Sequence, residues 1–190
     1  MRMSVTVVIP TIPIRRDYLN RALVSVMNQT VPVESVAIAM DHKKSGAWAT
    51  RQKALDMVKT EWVAFLDDDD EFLPHHIQRC LQAQAESGAD VIVPWYEVVG
   101  GTDPVPLHRG LQVDPLHMHS FGITCLVRTE TIRNIGAFFH PREQVGLPED
   151  FHFWIQMGQG GARFFSIPDT TWKWHHHGAN TSGMPERWEQ

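Results

Sequence analysis

Three short apolar runs rich in β-branched residues, each followed by a segment of helical spacing, constrain this chain more than any other feature. Ser4 to Ile9 (SVTVVI), stopped by Pro10, has the composition of a buried parallel strand. Asp17 to Asn28 then places Leu19, Leu23, Val26 and Met27 at helical intervals. Ser35 to Met40 (SVAIAM) predicts a second strand, Ala47 to Val58 a helix, and Trp62 to Leu66 (WVAFL) a third strand. Pro74 to Ser87 is helical again, with a proline near its first turn and Gly88 just past its end. Val91 to Val93 is a short fourth strand. This βαβαβαβ order predicts an α/β fold with a mostly parallel central sheet flanked by helices.

The regularity stops at Gly100. From there to Phe121 the chain holds two adjacent glycines, three prolines and three histidines without a period. A loop of that length inside a compact domain is expected to be functional or mobile. Beyond it come an apolar run at Ile123 to Val127, a short helix over Thr129 to Ile135, and another from near Pro148 to Gly158. Ala162 to Ile167 and Thr171 to His175 alternate enough for one or two further strands, a small C-terminal β element. No linker divides the 190 residues, which suffice for one domain with its own core.

A net charge of −5 disfavours a nucleic-acid partner, which calls for a basic face. Cys80 and Cys125 lie far apart, in no metal-ligand spacing, and are expected to be reduced and buried, as in a cytoplasmic protein. No apolar run approaches the ~20 residues of a membrane span. Val5 to Pro10 is too short and wrongly flanked for a signal peptide.

The sharpest chemical feature is Asp67-Asp68-Asp69-Asp70-Glu71, directly after WVAFL. In open parallel sheets, ligands gather at the carboxyl ends of strands, where this cluster falls. Adjacent carboxylates repel, so folding requires a cation or partial protonation. Hard oxygen donors suit Mg²⁺ or Mn²⁺ shared with a substrate phosphate. An isolated acidic run is more often a solvated turn, but its position after a buried strand reverses that expectation.

VAFLDDDDEF resembles the "FLDxDD" segment of family-two glycosyltransferases of the GT-A fold, with Asp67 and Asp69 as the DxD pair. The resemblance implies a single GT-A-like, Rossmann-like domain, with residues 1–99 as the nucleotide-sugar half. Residues 100–190 would then supply the acceptor side and a C-terminal lid. It implies that Asp69 ligates a divalent metal, that Asp67 lies near the ribose or the metal's water shell, and that Asp70 is structural or near the donor sugar. Asp68 stands where the family varies and is counted with Asp67 among the residues expected at the donor nucleotide. VVIPTIP is similar to the family's Pro-Thr turn, which makes Pro10 and Thr11 the start of the nucleotide pocket. Met40-Asp41 is similar to "vDD", so Asp41 is expected at the base, although His42 replaces the second acid. SGAWATRQKAL resembles the "G…aRN.g" helix and points Arg51 at the nucleotide or the Asp cluster, with Gln52 in place of Asn.

Gly146-Leu147-Pro148-Glu149-Asp150, followed by Phe151, Phe153 and Trp154, resembles the "EDxxLW" helix start. This makes Asp150 the expected base, taking a proton from the acceptor hydroxyl, with Glu149 beside it. A helix N-terminus favours the ionised carboxylate, so burial or nearby anions must restore basicity. ITCLVRTETIRNIGAFF is similar to a structural segment of the family. Trp172 to Ser182 resembles the "yRxHxxNxS" ending: His177 is a further metal ligand or diphosphate contact, and His175 replaces the usual Arg. Thr181 and Ser182 are expected at phosphate, and the residues after Gly178 are expected to form a lid.

The expected reaction is inverting transfer from a nucleoside-diphosphate sugar, with UDP-sugar favoured, to a glycan, lipid, protein or small-molecule acceptor. The chain is short for the family, which leaves room for a partner or a homodimer to complete the cleft. A nucleotidyltransferase is disfavoured because TIPIRR lacks the Gly-rich loop that grips a triphosphate. A non-catalytic nucleotide-sugar or carbohydrate-binding module is disfavoured by the intact acidic groups.

Overall fold

The computed structural model describes residues 3–116, 122–140 and 148–177. Its strands are β1 (Val5–Thr11), β2 (Ser35–Met40), β3 (Trp62–Phe65), β4 (Glu71–Phe72), β5 (Val91–Val99), β6 (Leu126–Arg128) and β7 (Phe164–His175). The helices are α1 (Arg16–Met27), α2 (Ala47–Leu55), α3 (His76–Ser87), α4 (Thr129–Ile135) and α5 (Glu149–Gln159). The strands form one seven-stranded sheet in the order β2-β1-β3-β6-β5-β7-β4.

β1 is parallel to both β2 and β3. β6 runs against β3 and β5, so β5 points the same way as β3, and β7 is parallel to β5. Five of the seven strands therefore share one direction, and β4 and β6 oppose it. The chain leaves β1 toward β2 and later leaves β3 toward the opposite edge. The carboxyl ends of β1 and β3 thus flank the crevice where open α/β sheets bind ligands.

Two cores explain why the apolar runs are continuous. On one face Val5, Val7, Ile9, Trp62 and Ala64 pack with Leu19, Ala22 and Val26 of α1 and Ile77 and Cys80 of α3. On the other face Val8, Val63 and Phe65 pack with Ala54 and Leu55 of α2, Ile132 of α4, and Phe153, Trp154 and Met157 of α5. Central strands covered on both faces carry no polar alternation. All seven residues of β1 are buried, whereas edge strand β2 alternates. Both cysteines are free and buried, as expected. Gly88 ends α3 in the left-handed conformation, φ 65°, which costs glycine little.

Two features differ from the sequence expectation. The fourth strand continues to Val99, because β5 carries Pro94 at an irregularity where the register to β7 shifts between Val93 and Tyr96. Bulges are where a sheet tolerates proline. The tail is one long strand, β7, within the expectation of one or two, and it pairs with a two-residue strand, β4, that the sequence reading did not include. Residues 100–116 are also fastened. Gln112 exchanges two hydrogen bonds with the Ser166 backbone, at 3.1 and 3.0 Å, and Arg109 donates to the Pro168 carbonyl at 3.0 Å. Among the described residues, no helix is long and apolar enough to cross a membrane.

Candidate functional site

The site is built where β1, β2 and β3 end. Asp41 N donates to the Thr11 carbonyl at 2.9 Å, and Leu66 N donates to the Val8 carbonyl at 3.0 Å, the last ladder bonds before the chains diverge. Pro10 lies past the last β1–β3 pair, Val8 with Phe65, so its missing N–H interrupts no bond of that pairing. The acidic run then turns, with Asp70 N donating to the Asp67 carbonyl at 3.2 Å, before β4 pairs with β7. A cavity of about 280 Å³ opens here. Pro10, Thr11, Asp41, Arg51, Asp67 and Asp68, the residues expected to hold the nucleotide, all line it, together with Asp69, Asp70 and Glu149.

The four aspartates face different partners. Asp67 accepts from the Arg51 guanidinium at 2.6 Å. Asp68 accepts from Thr11 Oγ1 at 2.6 Å and from Arg15 at 2.9 Å. Asp69 Oδ2 is shared by Arg15 at 3.2 Å and His177 Nε2 at 2.9 Å. Asp70 accepts from the His175 backbone N–H at 2.9 Å. Burial pushes the Asp68 carboxyl up against the hydrogen bonds from Thr11 and Arg15 that pull it down. Burial, then the charges of Asp67 and Asp69, pushes Asp70 well above the usual carboxylate range. The repulsion expected of adjacent carboxylates is therefore met by cationic neighbours and by a preference of Asp70 for its proton.

Carboxylate oxygens of Asp67, Asp69 and Asp70 lie within 4.8 Å of one another. Three hard donors at that spacing fit Mg²⁺ or Mn²⁺. Asp68 stands outside that set, occupied with Thr11 and Arg15. His177, stacked on Tyr18 with ring centroids 4.9 Å apart, reaches Asp69 but does not join the three.

Arg51 spans the site. Its side chain is only 5% exposed and also donates to Glu149 at 3.0 Å, while its guanidinium carbon lies 5.4 Å from the Phe139 ring centre. Although burial alone would lower its pKa, Asp67 and Glu149 hold the guanidinium above its ordinary value. Asp150 follows Glu149 in the first turn of α5. Burial and then the Glu149 charge push its carboxyl up to about 6, against the pull of Arg51. The basicity that the helix N-terminus would remove is restored by those two causes.

Asp41 is turned toward its own loop: its carboxylate accepts from Lys43 N at 3.0 Å and Gly46 N at 2.9 Å. His175, at the position of the family Arg, places Nε2 2.6 Å from Glu71. The expectations on Gly146, Leu147, Thr181, Ser182 and the segment after Gly178 lie outside the described residues.

Sequence reasoning did not single out Arg15, Arg21 or Trp174. Arg15 ends a 3-10 turn, Pro13–Arg15, just after β1, and Arg21 donates to the Asp69 carbonyl and approaches Glu71 at 3.4 Å. Trp174 lines the cavity from β7. The signal for Arg15 was its closeness to a central strand's carboxyl end. Nothing local marks Arg21 or Trp174.

Fold and site together define an α/β protein with an acidic, arginine-braced crevice at the switch point of its sheet. The sequence profile described as Glycosyl transferase family 2 matches residues 34–138, more than half of the chain, and the chain belongs to that family. The fold is similar to that of S. aureus TarS 1-349 in complex with UDP-GlcNAc, with a TM-score of 0.80 at 18% identity over 94% of this chain and 60% of that one. The complex of the same fragment with UDP gives a TM-score of 0.78 at 20% identity, over 92% and 61%. S. aureus TarS gives 0.77 at 19%, over 92% of this chain and 37% of that one. The chain thus spans about 60% of the TarS 1-349 fragment. A search of curated protein sequences finds no match.

Proposed function

We propose that this chain transfers a sugar from a nucleoside-diphosphate sugar, UDP-sugar favoured, to an acceptor hydroxyl with inversion at the anomeric carbon. One observation carries this reading. The residues expected at the nucleotide come from the ends of β1, β2 and β3 and from α2, and they line a single cavity with Asp69 and Glu149. The fold it shares with TarS structures that hold UDP or UDP-GlcNAc supports the choice of donor.

Pro10, Thr11 and the loop held by Asp41 form the wall for base and ribose. Asp67, Asp69 and Asp70 are the donors for a divalent cation, with His177 beside Asp69. A divalent cation held by these residues would supply neutralisation of the charge on the leaving diphosphate. Arg51 keeps Asp67 and Glu149 in register across the crevice. Asp150 is the base: a carboxyl near pKa 6 is ionised at neutral pH and still basic enough to accept the acceptor's proton. Glu149 positions the acceptor.

Product analysis tests the reading. Release of nucleoside diphosphate with glycosylated acceptor supports it. Release of pyrophosphate shows nucleotidyl transfer, and donor binding without turnover shows a binding module.

A further inference from the structure

Three arginines brace the acidic crevice among the described residues, and they differ in freedom. Arg51 is locked between Asp67 and Glu149 and nearly fully buried. Arg21 is held by the Asp69 carbonyl and Glu71. Arg15 sits on a short 3-10 turn at the cavity wall, its side chain 26% exposed, with one nitrogen divided between Asp68 at 2.9 Å and Asp69 Oδ2 at 3.2 Å. Its neighbour Ile14 is 90% exposed, so the turn has little packing to resist movement.

We infer that Arg15 is a transferable counter-ion. It neutralises Asp68 and Asp69 before the donor binds, and it turns to the donor's diphosphate once a divalent cation holds the aspartates. The inference rests on the proposed reading of the site. Asp69 offers one carboxylate oxygen to the three-carboxylate cation set and accepts from Arg15 through Oδ2, so a cation bound there shares one carboxylate with the guanidinium. Like charges repel at this range, and the cation would drive Arg15 off Asp69. A guanidinium released beside a diphosphate finds a well-matched partner in its oxygens. Thr11 Oγ1 also donates to Asp68, at 2.6 Å, so that carboxylate has a second partner besides Arg15.

The test uses Arg15→Gln and Arg15→Lys in the full chain, with binding read by calorimetry. For Arg15→Gln, Mn²⁺ alone binds about tenfold more tightly, because a competing cation is gone. UDP binding in saturating Mn²⁺ weakens by about tenfold, while uridine binding is unchanged. Arg15→Lys keeps the charge and stays near wild type in Mn²⁺ affinity. Unchanged Mn²⁺ affinity in Arg15→Gln, or equal losses for UDP and uridine, overturns the inference and leaves Arg15 a fixed tie or a base contact. If the wild-type chain binds neither Mn²⁺ nor UDP, the reading of the site fails first and the inference with it.

Discussion

Arg51 on α2 and Glu149 at the start of α5 stand 98 positions apart in sequence, and their side chains meet at 3.0 Å. The same guanidinium holds Asp67 at 2.6 Å. One buried cation thus ties the end of β3 to the helix that carries the candidate base. Arg51→Ala leaves two carboxylates facing each other across an emptied space. The expected loss is roughly 3 kcal/mol, at the lower end for broken buried pairs because both carboxylates keep some solvent. Urea unfolding of wild type and variant measures it, and a change within ~0.5 kcal/mol, the range of a surface substitution, refutes it.

As the proposed base, Asp150 is expected to set the acid limb of the pH profile. With its carboxyl pushed up to about 6, kcat/KM should fall as pH drops through about 6, where the base becomes protonated. Asp150→Asn should lower kcat by ~10²-fold or more. A profile flat from pH 5 to 8 excludes Asp150 as the base.

The same shift has a stability consequence of opposite sense. The folded carboxyl titrates above its ordinary value of 3.8, so between about pH 4 and 6 the folded state binds the proton more tightly than the unfolded state does. This contribution to stability is full below about pH 4 and is lost as pH rises through about 6. Asp150→Asn, which cannot ionise, should therefore be more stable than wild type above pH 6, by of order 1–3 kcal/mol, with the gap closing toward pH 4. Denaturant midpoints at pH 4.5 and pH 8 check this, and a gap that widens toward acid contradicts it.

His177 touches Asp69 at 2.9 Å, outside the three-carboxylate set. His177→Ala is expected to weaken Mn²⁺ binding about tenfold, the scale of losing an orienting contact, while Asp69→Ala abolishes it. Mn²⁺ titration followed by electron paramagnetic resonance separates the two. Equal losses would make His177 a direct ligand on a par with Asp69.

Thr11 donates to Asp68 at 2.6 Å, and both are buried. Thr11→Val removes that hydrogen bond at nearly constant volume and should cost about 1–3 kcal/mol, because Asp68 is left short of a donor. Thermal unfolding reads the loss, and an unchanged melting temperature shows that Arg15 alone satisfies Asp68.

The first half of the fold was legible because its signals are local. β2 and α4 match their expected spans, and β1, β3, α1 and α3 end within a few residues of theirs. Pro10, Thr11, Asp41 and Asp67, expected at the nucleotide from the family resemblance, lie at strand ends and line one cavity. Pairings decided at a distance were not legible. The two-residue β4 exists only because β7 returns beside it, and β5 passes Pro94 only through an irregularity shared with β7. The division of labour among the aspartates was hidden for the same reason. Which one meets Thr11, Arg51 or His177 depends on where three other elements place those side chains.

Nucleotide binding by the acidic crevice is measured by calorimetric titration of UDP into wild type and an Asp67→Asn/Asp69→Asn variant, each with and without Mn²⁺. Metal-dependent binding is expected of the wild type, with a loss of about 100-fold or more in the variant. Equal UDP affinity in the two proteins, or a wild type that binds no nucleotide even with metal present, would contradict it.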